Sequence, residues 1–201
     1  MKTGNRSRSI VLLGLLSAIL FVMGMTPLGY LKIGPLAITL NMIPVAVGAA
    51  ALGPAGGSVL GAVFGITSII EATNGSSAIG AITMTISPVL TVVHRLVPRV
   101  LTGFVLGVAY RCLRKHMNVK NAGYILGFLA AFLNTVLFLG LLVLLFKDTQ
   151  FLSARVEEAG GSVLMYLASI AGVNALVEMI VSPVVVGTLL NSLERAGVFK
   201  R

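Results

Sequence analysis

Residues 121–146, NAGYILGFLAAFLNTVLFLGLLVLLF, contain no charged side chain and decide the architecture of this chain. A hydrocarbon core of about 30 Å takes roughly 20 apolar residues of helix, which this stretch exceeds. Its Leu, Phe, Ala and Val run on without period-two alternation, so it reads as a helix in lipid and not as a barrel strand. Near its centre stands Asn134, a lone amide among hydrocarbon side chains.

Similar uncharged runs cover residues 9–31, 33–70, 72–93 and 159–177, the last resuming beyond Glu178 to Leu193. With 57% hydrophobic residues and a mean hydropathy of +1.01, the chain has the composition of a membrane protein. The expectation is one integral membrane domain over residues 1–201, all-α and multi-pass in the cell membrane, with lipid as its surroundings. The first run follows Lys2, Arg6 and Arg8 as a secretion signal would. Met25-Thr26-Pro27-Leu28 offers no small-x-small cleavage site, however, so a retained helix is expected. The run 33–70 is too long for one crossing, and Gly53-Pro54-Ala55-Gly56-Gly57 in its middle reads as a tight turn between two antiparallel helices. Residues 72–93, with Thr73-Asn74-Gly75-Ser76-Ser77 and then Ser87-Pro88, read as a polar, partly irregular loop dipping against the protein. Six spans result, at about 9–27, 38–52, 55–71, 94–113, 121–146 and 162–192.

Six spans put Lys2, Arg6 and Arg8, then Arg111, Arg114, Lys115 and Lys120, then Arg195, Lys200 and Arg201 on one side. That is ten of the fifteen Lys and Arg residues, so the positive-inside rule makes this side, with both termini, cytoplasmic. Topology thereby accounts for the net charge of +9, and no soluble basic patch or recognition motif calls for nucleic acid. Cys112 is the one cysteine and has no internal disulfide partner.

Motifs for catalysis are missing. Asp148 is the sole aspartate, His94 and His116 are expected on opposite sides of the membrane, and there is no HExxH, GxSxG or Walker A pattern. Neither an enzyme nor a bound cofactor or metal is expected, and any uphill transport would draw on an ion gradient or on a partner.

Polar residues inside the spans point to binding instead. Asn174 and Glu178, four apart, share one face of the last span, and Asn134 lies in the span before it. Two readings fit: a ligand pocket, or a structural network in which the amides cross-link helices and Glu178 pairs with Arg99 or is protonated. Interhelical polar contacts average only about 0.6 kcal/mol, which gives a purely structural network little to gain. Arg95 and Arg99 form a second pair four apart, beside Pro98. Arg99 suits an anionic group as readily as a headgroup, whereas Arg95 reads more as a side chain snorkelling to the outer headgroups. Glu71, Asn74 and Lys32 read as solvated loop residues, and Asn41 as a further pocket candidate. On the first span Gly14 and Ala18, with Ser17, make a smooth small-xxx-small strip, open to another helix of this chain or of a partner.

Several motifs are similar to those of the substrate-binding S components of energy-coupling factor (ECF) vitamin transporters. They are Ile43-Pro44-Val45, Ala51-Leu52-Gly53-Pro54, Gly61-Ala62-Val63-Phe64-Gly65, Pro98-Arg99-Val100-Leu101-Thr102-Gly103, Asn134-Thr135 and Asn174-Ala175-Leu176-Val177-Glu178. Nearly the whole chain is covered, and among S components it most resembles the pantothenate-type members. The resemblance implies a six-helix subunit that binds a small water-soluble vitamin near its outer half, under the loops after spans one and three. It also implies docking on a transmembrane coupling subunit with two cytoplasmic ATPases, and reorientation in the membrane to release cargo. The family's AxxxA docking motif corresponds to Gly14 and Ala18, with Gly in place of the first Ala. Substrate contacts are then expected at Asn41, Arg99, Asn134, Asn174 and Glu178, with loops 28–37 and 72–93 closing over the cargo. A homodimeric carrier driven by an ion gradient, a scaffold without cargo, and an S component for cobalamin, riboflavin or folate are the alternatives.

Overall fold

The computed structural model describes residues 3–26, 29–33 and 36–197. The described chain is almost entirely helical: α1 (Thr3–Met25), β1 (Tyr30–Ile33), β2 (Leu36–Thr39), α2 (Met42–Thr73), α3 (Ala78–Ile86), α4 (Pro88–Leu113), α5 (Val119–Phe146), α6 (Gln150–Glu158) and α7 (Val163–Arg195). Five helices, among the described residues, are long and apolar enough to cross a membrane: α1 from Ser7, α2, α4, α5 and α7. Their outward faces carry exposed Leu15, Phe21, Ile66, Leu101, Phe104, Leu144, Leu176 and Ile180, a surface suited to lipid and not to water.

The expected turn in the second run exists. Gly53 adopts φ 78° and ψ −168°, which breaks α2 ahead of Pro54. The chain doubles back there, since a Cβ placed on Gly57 would lie 2.9 Å from Cβ of Ala49. Eight residues of straight helix would separate the two by roughly 12 Å. The first limb, residues 42–52, is short at roughly 16 Å, and the second, 54–73, reaches roughly 30 Å.

Small residues set the closest approaches. A Cβ on Gly57 would strike the Gly103 carbonyl and one on Gly61 the Arg99 carbonyl, so the second limb of α2 and α4 run antiparallel with backbones touching. Gly127 of α5 meets Ser182 and Pro183 of α7 in the same manner. These two antiparallel pairs are joined along α4 and α5, and α1 lies against α2. A core of Leu16, Leu20, Val45, Leu60, Leu106, Leu126 and Leu190 fills the bundle toward the Gly53 end. Basic side chains collect at that same end, where Arg8 donates to the Gly197 carbonyl (3.2 Å) and Arg114 lies 3.7 Å from Glu194.

Three expectations are corrected. Residues 72–93 are not an irregular loop: Ser77 caps α3 by accepting from the Gly80 N–H, and Ser87 caps α4 with Pro88 in its first turn. Serine at an N-cap and proline just inside are helix-start signals, which explains why Ser87-Pro88 opens a helix and α4 begins at 88 instead of 94. The helix expected from residue 38 begins at Met42, because Leu36–Thr39 pairs as β2 with β1 in the register Tyr30↔Thr39 and Ile33↔Leu36. Finally, Glu71 is buried at 8% exposure and Arg95 at 4%, so neither is a solvated or snorkelling surface group. The expected role of Lys32 concerns a side chain outside the described residues, as does part of the expected closing loop 28–37.

Candidate functional site

At the end of the bundle opposite Gly53, the helices part around a cavity of about 720 Å³. Pockets that take small molecules run from roughly 300 to 1,000 Å³. Four sequence-predicted residues line it together: Arg99 from α4, Asn134 from α5, and Asn174 and Glu178 from α7. The four-residue spacing of Asn174 and Glu178 turns both to the same side of α7, and the antiparallel packing of α5 brings Asn134 beside them.

Glu178 is buried, and its Oε1 accepts from the backbone N–H of Thr39 at 2.7 Å. The carboxylate thereby ties the β-hairpin to α7 beside the cavity, a role that neither sequence reading contained. The Oδ1 of Asn134 is buried and meets no hydrogen-bond partner among the described residues. An amide oxygen in that state is open to a donor from a guest molecule.

The wall opposite is cationic. Arg95 donates from its two terminal nitrogens to Ser68 Oγ and Ser77 Oγ, each at 2.9 Å. Arg99, one turn on, donates to the Arg95 carbonyl at 2.7 Å and lies between two rings, 4.6 Å from Phe64 and 4.9 Å from Phe138. Arg95 also approaches Phe138, at 5.6 Å. Phe64, Ser77, Arg95 and Phe138 all line the cavity, together with Glu71, Asn74 and Thr135. Sequence reasoning missed most of these, although spacing carried the signal. Phe64, Ser68 and Glu71 repeat at helical intervals on one face, Arg95 precedes Arg99 by one turn, and Phe138 follows Asn134 by one turn.

Asn41 is not on the cavity wall. It is wholly buried at the head of α2, against the backbone of Gly29, and its amide finds no partner among the described residues. Gly14 and Ala18 are on the outer face of α1, where a Cβ at Gly14 would meet nothing within 4 Å. Among the described residues nothing packs on Gly14, and α1 packs inward through Leu16 and Leu20. Among the described residues, no three His, Cys, Asp or Glu side chains gather as a metal site would need.

The cavity thus brings together two guanidinium groups, the rings of Phe64 and Phe138, the carboxyl groups of Glu71 and Glu178, and the amides of Asn74, Asn134 and Asn174. Such a lining matches a small polar molecule with an anionic group at one end and hydroxyl or amide groups along its length. The chain is 28% identical to a protein named pantothenate transporter PanT from Leuconostoc mesenteroides, over 98% of either chain. Residues 8–190 match the model of the family described as ECF transporter, substrate-specific component. With nearly its whole length matched, this multi-pass membrane chain belongs to the substrate-specific components of ECF transporters.

Proposed function

We propose that the vitamin this subunit captures is pantothenate. The observation that carries the reading is the convergence of Arg99, Asn134, Asn174 and Glu178 on one cavity. Pantothenate has a terminal carboxylate, a central amide and two hydroxyl groups. Arg99 would meet the carboxylate, since a planar guanidinium matches two oxygens at once. Asn134, Asn174 and Glu178 would meet the amide and hydroxyl groups. Similarity to a protein named as a pantothenate transporter favours this vitamin over riboflavin or folate, and a cavity of about 720 Å³ is small for cobalamin.

In this reading α1, both limbs of α2, α4, α5 and α7 make six passes. The termini and the basic Gly53 end face the cytoplasm, and the cavity faces out. A transmembrane coupling subunit carrying two ATPases would dock along Gly14 and Ala18 of α1, whose outward exposure leaves a smooth strip for another helix. Occupancy would be coupled to docking through the β-hairpin. A ligand that engages Glu178 stabilises whichever hairpin position the Thr39 contact selects, and a conformational change needs such a state-dependent interaction.

The test is equilibrium binding of pantothenate, riboflavin, folate and cobalamin to the purified chain. Saturable binding of pantothenate alone supports the proposal. Preference for another vitamin, with a monodisperse protein, contradicts it.

A further inference from the structure

Phe138 of α5 is where the cationic wall comes together. The guanidinium carbons of Arg95 and Arg99 lie 5.6 and 4.9 Å from the centre of its ring. The ring is held in its turn by His94, which is wholly buried. Its own ring centre lies 4.2 Å from that of Phe138, and its Nε2 lies 3.1 Å from the Phe138 carbonyl oxygen. Phe146, one further stretch along α5, packs edge-on to His94 at 6.1 Å.

Two like charges one helical turn apart, both buried, repel each other in surroundings that solvate them poorly, and the buried carboxyl of Glu71 lines the same cavity. An aromatic face attracts a cation through its quadrupole, and it does so against the flat side of a guanidinium. Hydrogen-bond donors lie around the guanidinium edge, so a ring holds the group without competing for the atoms that recognise an anion. Ser68 and Ser77 give Arg95 polar partners, and Arg99, which donates to the Arg95 carbonyl, lies over the rings of Phe64 and Phe138.

We infer that Phe138 is a positioning residue that sets the selectivity of the cavity for an anionic ligand, by seating both buried arginines against one aromatic surface held in place by His94. The inference rests on the pantothenate reading and adds to it a residue whose effect depends on the charge of the ligand. A ring that merely fills space would affect charged and neutral ligands alike. A ring that positions the arginines would affect only the charged one.

Pantothenate and pantothenol, its neutral alcohol analogue, separate these cases. Binding of both is measured to the full-length protein, to Phe138→Leu, and to a protein carrying 3,4,5-trifluorophenylalanine at position 138. The fluorinated ring keeps nearly the same shape and loses most of its negative face. Both changes are expected to weaken pantothenate binding about tenfold, from the strength of a desolvated cation–ring contact, and to leave pantothenol within about twofold. Equal losses for the two ligands, loss of both, or no loss in either would overturn the inference. Failure of the unsubstituted protein to bind pantothenate would instead overturn the ligand reading, and the inference with it.

Discussion

The Gly53 end of the bundle and the end with the cavity are built from the same helices by opposite means. At the Gly53 end, Gly57 meets Gly103 backbone to backbone, and Leu60, Leu106, Leu126 and Leu190 fill the interior. At the other end the same helices carry Phe64, Arg95, Arg99, Asn134 and Glu178, which surround about 720 Å³ of space. In lipid, apolar burial does little to drive helices together, so contact between backbones takes over that task. Where small residues allow contact the bundle is solid. The contact of α2 with α4 continues through Gly61 and Gly65 beside Arg99 and Arg95, so the cavity opens between that pair and α5 with α7, where large polar side chains face one another.

Substitutions at the two ends should therefore separate stability from binding. The largest effect is expected at Gly57. Gly57→Leu would force α2 and α4 apart and lower stability by about 3 kcal/mol, the upper range for overpacking. Thermal unfolding in detergent would register this as a marked drop in melting temperature, and an unchanged melting temperature would break the contrast drawn here. Next come Arg99→Ala and Asn174→Ala. Each removes a proposed ligand contact and should weaken pantothenate binding, by about ten- to a hundredfold for the charged group and less for the amide. The ligand-free Asn174→Ala protein should melt near its original temperature, because Asn174 is only part-buried at the cavity.

A smaller effect is expected at Gly14. Gly14→Leu adds a side chain where nothing lies within 4 Å, so stability and pantothenate affinity should both be retained. Uptake by the chain reconstituted in liposomes with its coupling subunit and ATPases should fall. Retained uptake would remove the α1 strip from the docking surface. Smallest of all is Arg155→Ala, which breaks an exposed 2.8 Å pair with Glu158 on α6. A change beyond about 0.5 kcal/mol there would assign α6 more weight than an exposed ion pair carries.

Much of this contrast was legible in the sequence. Uncharged runs marked α1, α2, α5 and most of α7, Gly53-Pro54 marked the reversal within α2, and the spacing of Asn174 and Glu178 brought both to one wall. Other features were hidden for physical reasons. Arg95 and Glu71 look like interfacial residues because charge near a helix end ordinarily seeks water, and only tertiary packing against Ser68 and Ser77 buries Arg95. The β-hairpin was obscured because Tyr30 to Thr39 is as apolar as the helices beside it, so hydropathy alone does not separate strand from span. Asn41 shows the converse. An amide inside an apolar run suggested a pocket, yet its position at the head of α2 keeps it off the cavity wall. Phe138 went unnoticed because an aromatic residue in a membrane helix is unremarkable until its neighbours are known.

The most direct measurement is calorimetric titration of pantothenate into the purified protein, paired with Glu178→Gln. This change keeps the shape of the side chain and an oxygen to accept from Thr39, and removes the acidic group. If the cavity is the vitamin site, the unsubstituted protein binds one pantothenate per chain, and the variant stays folded and binds it about tenfold or more weakly. Equal affinity in a folded variant, or no heat of binding in either, would contradict the assignment of this cavity as the site of capture.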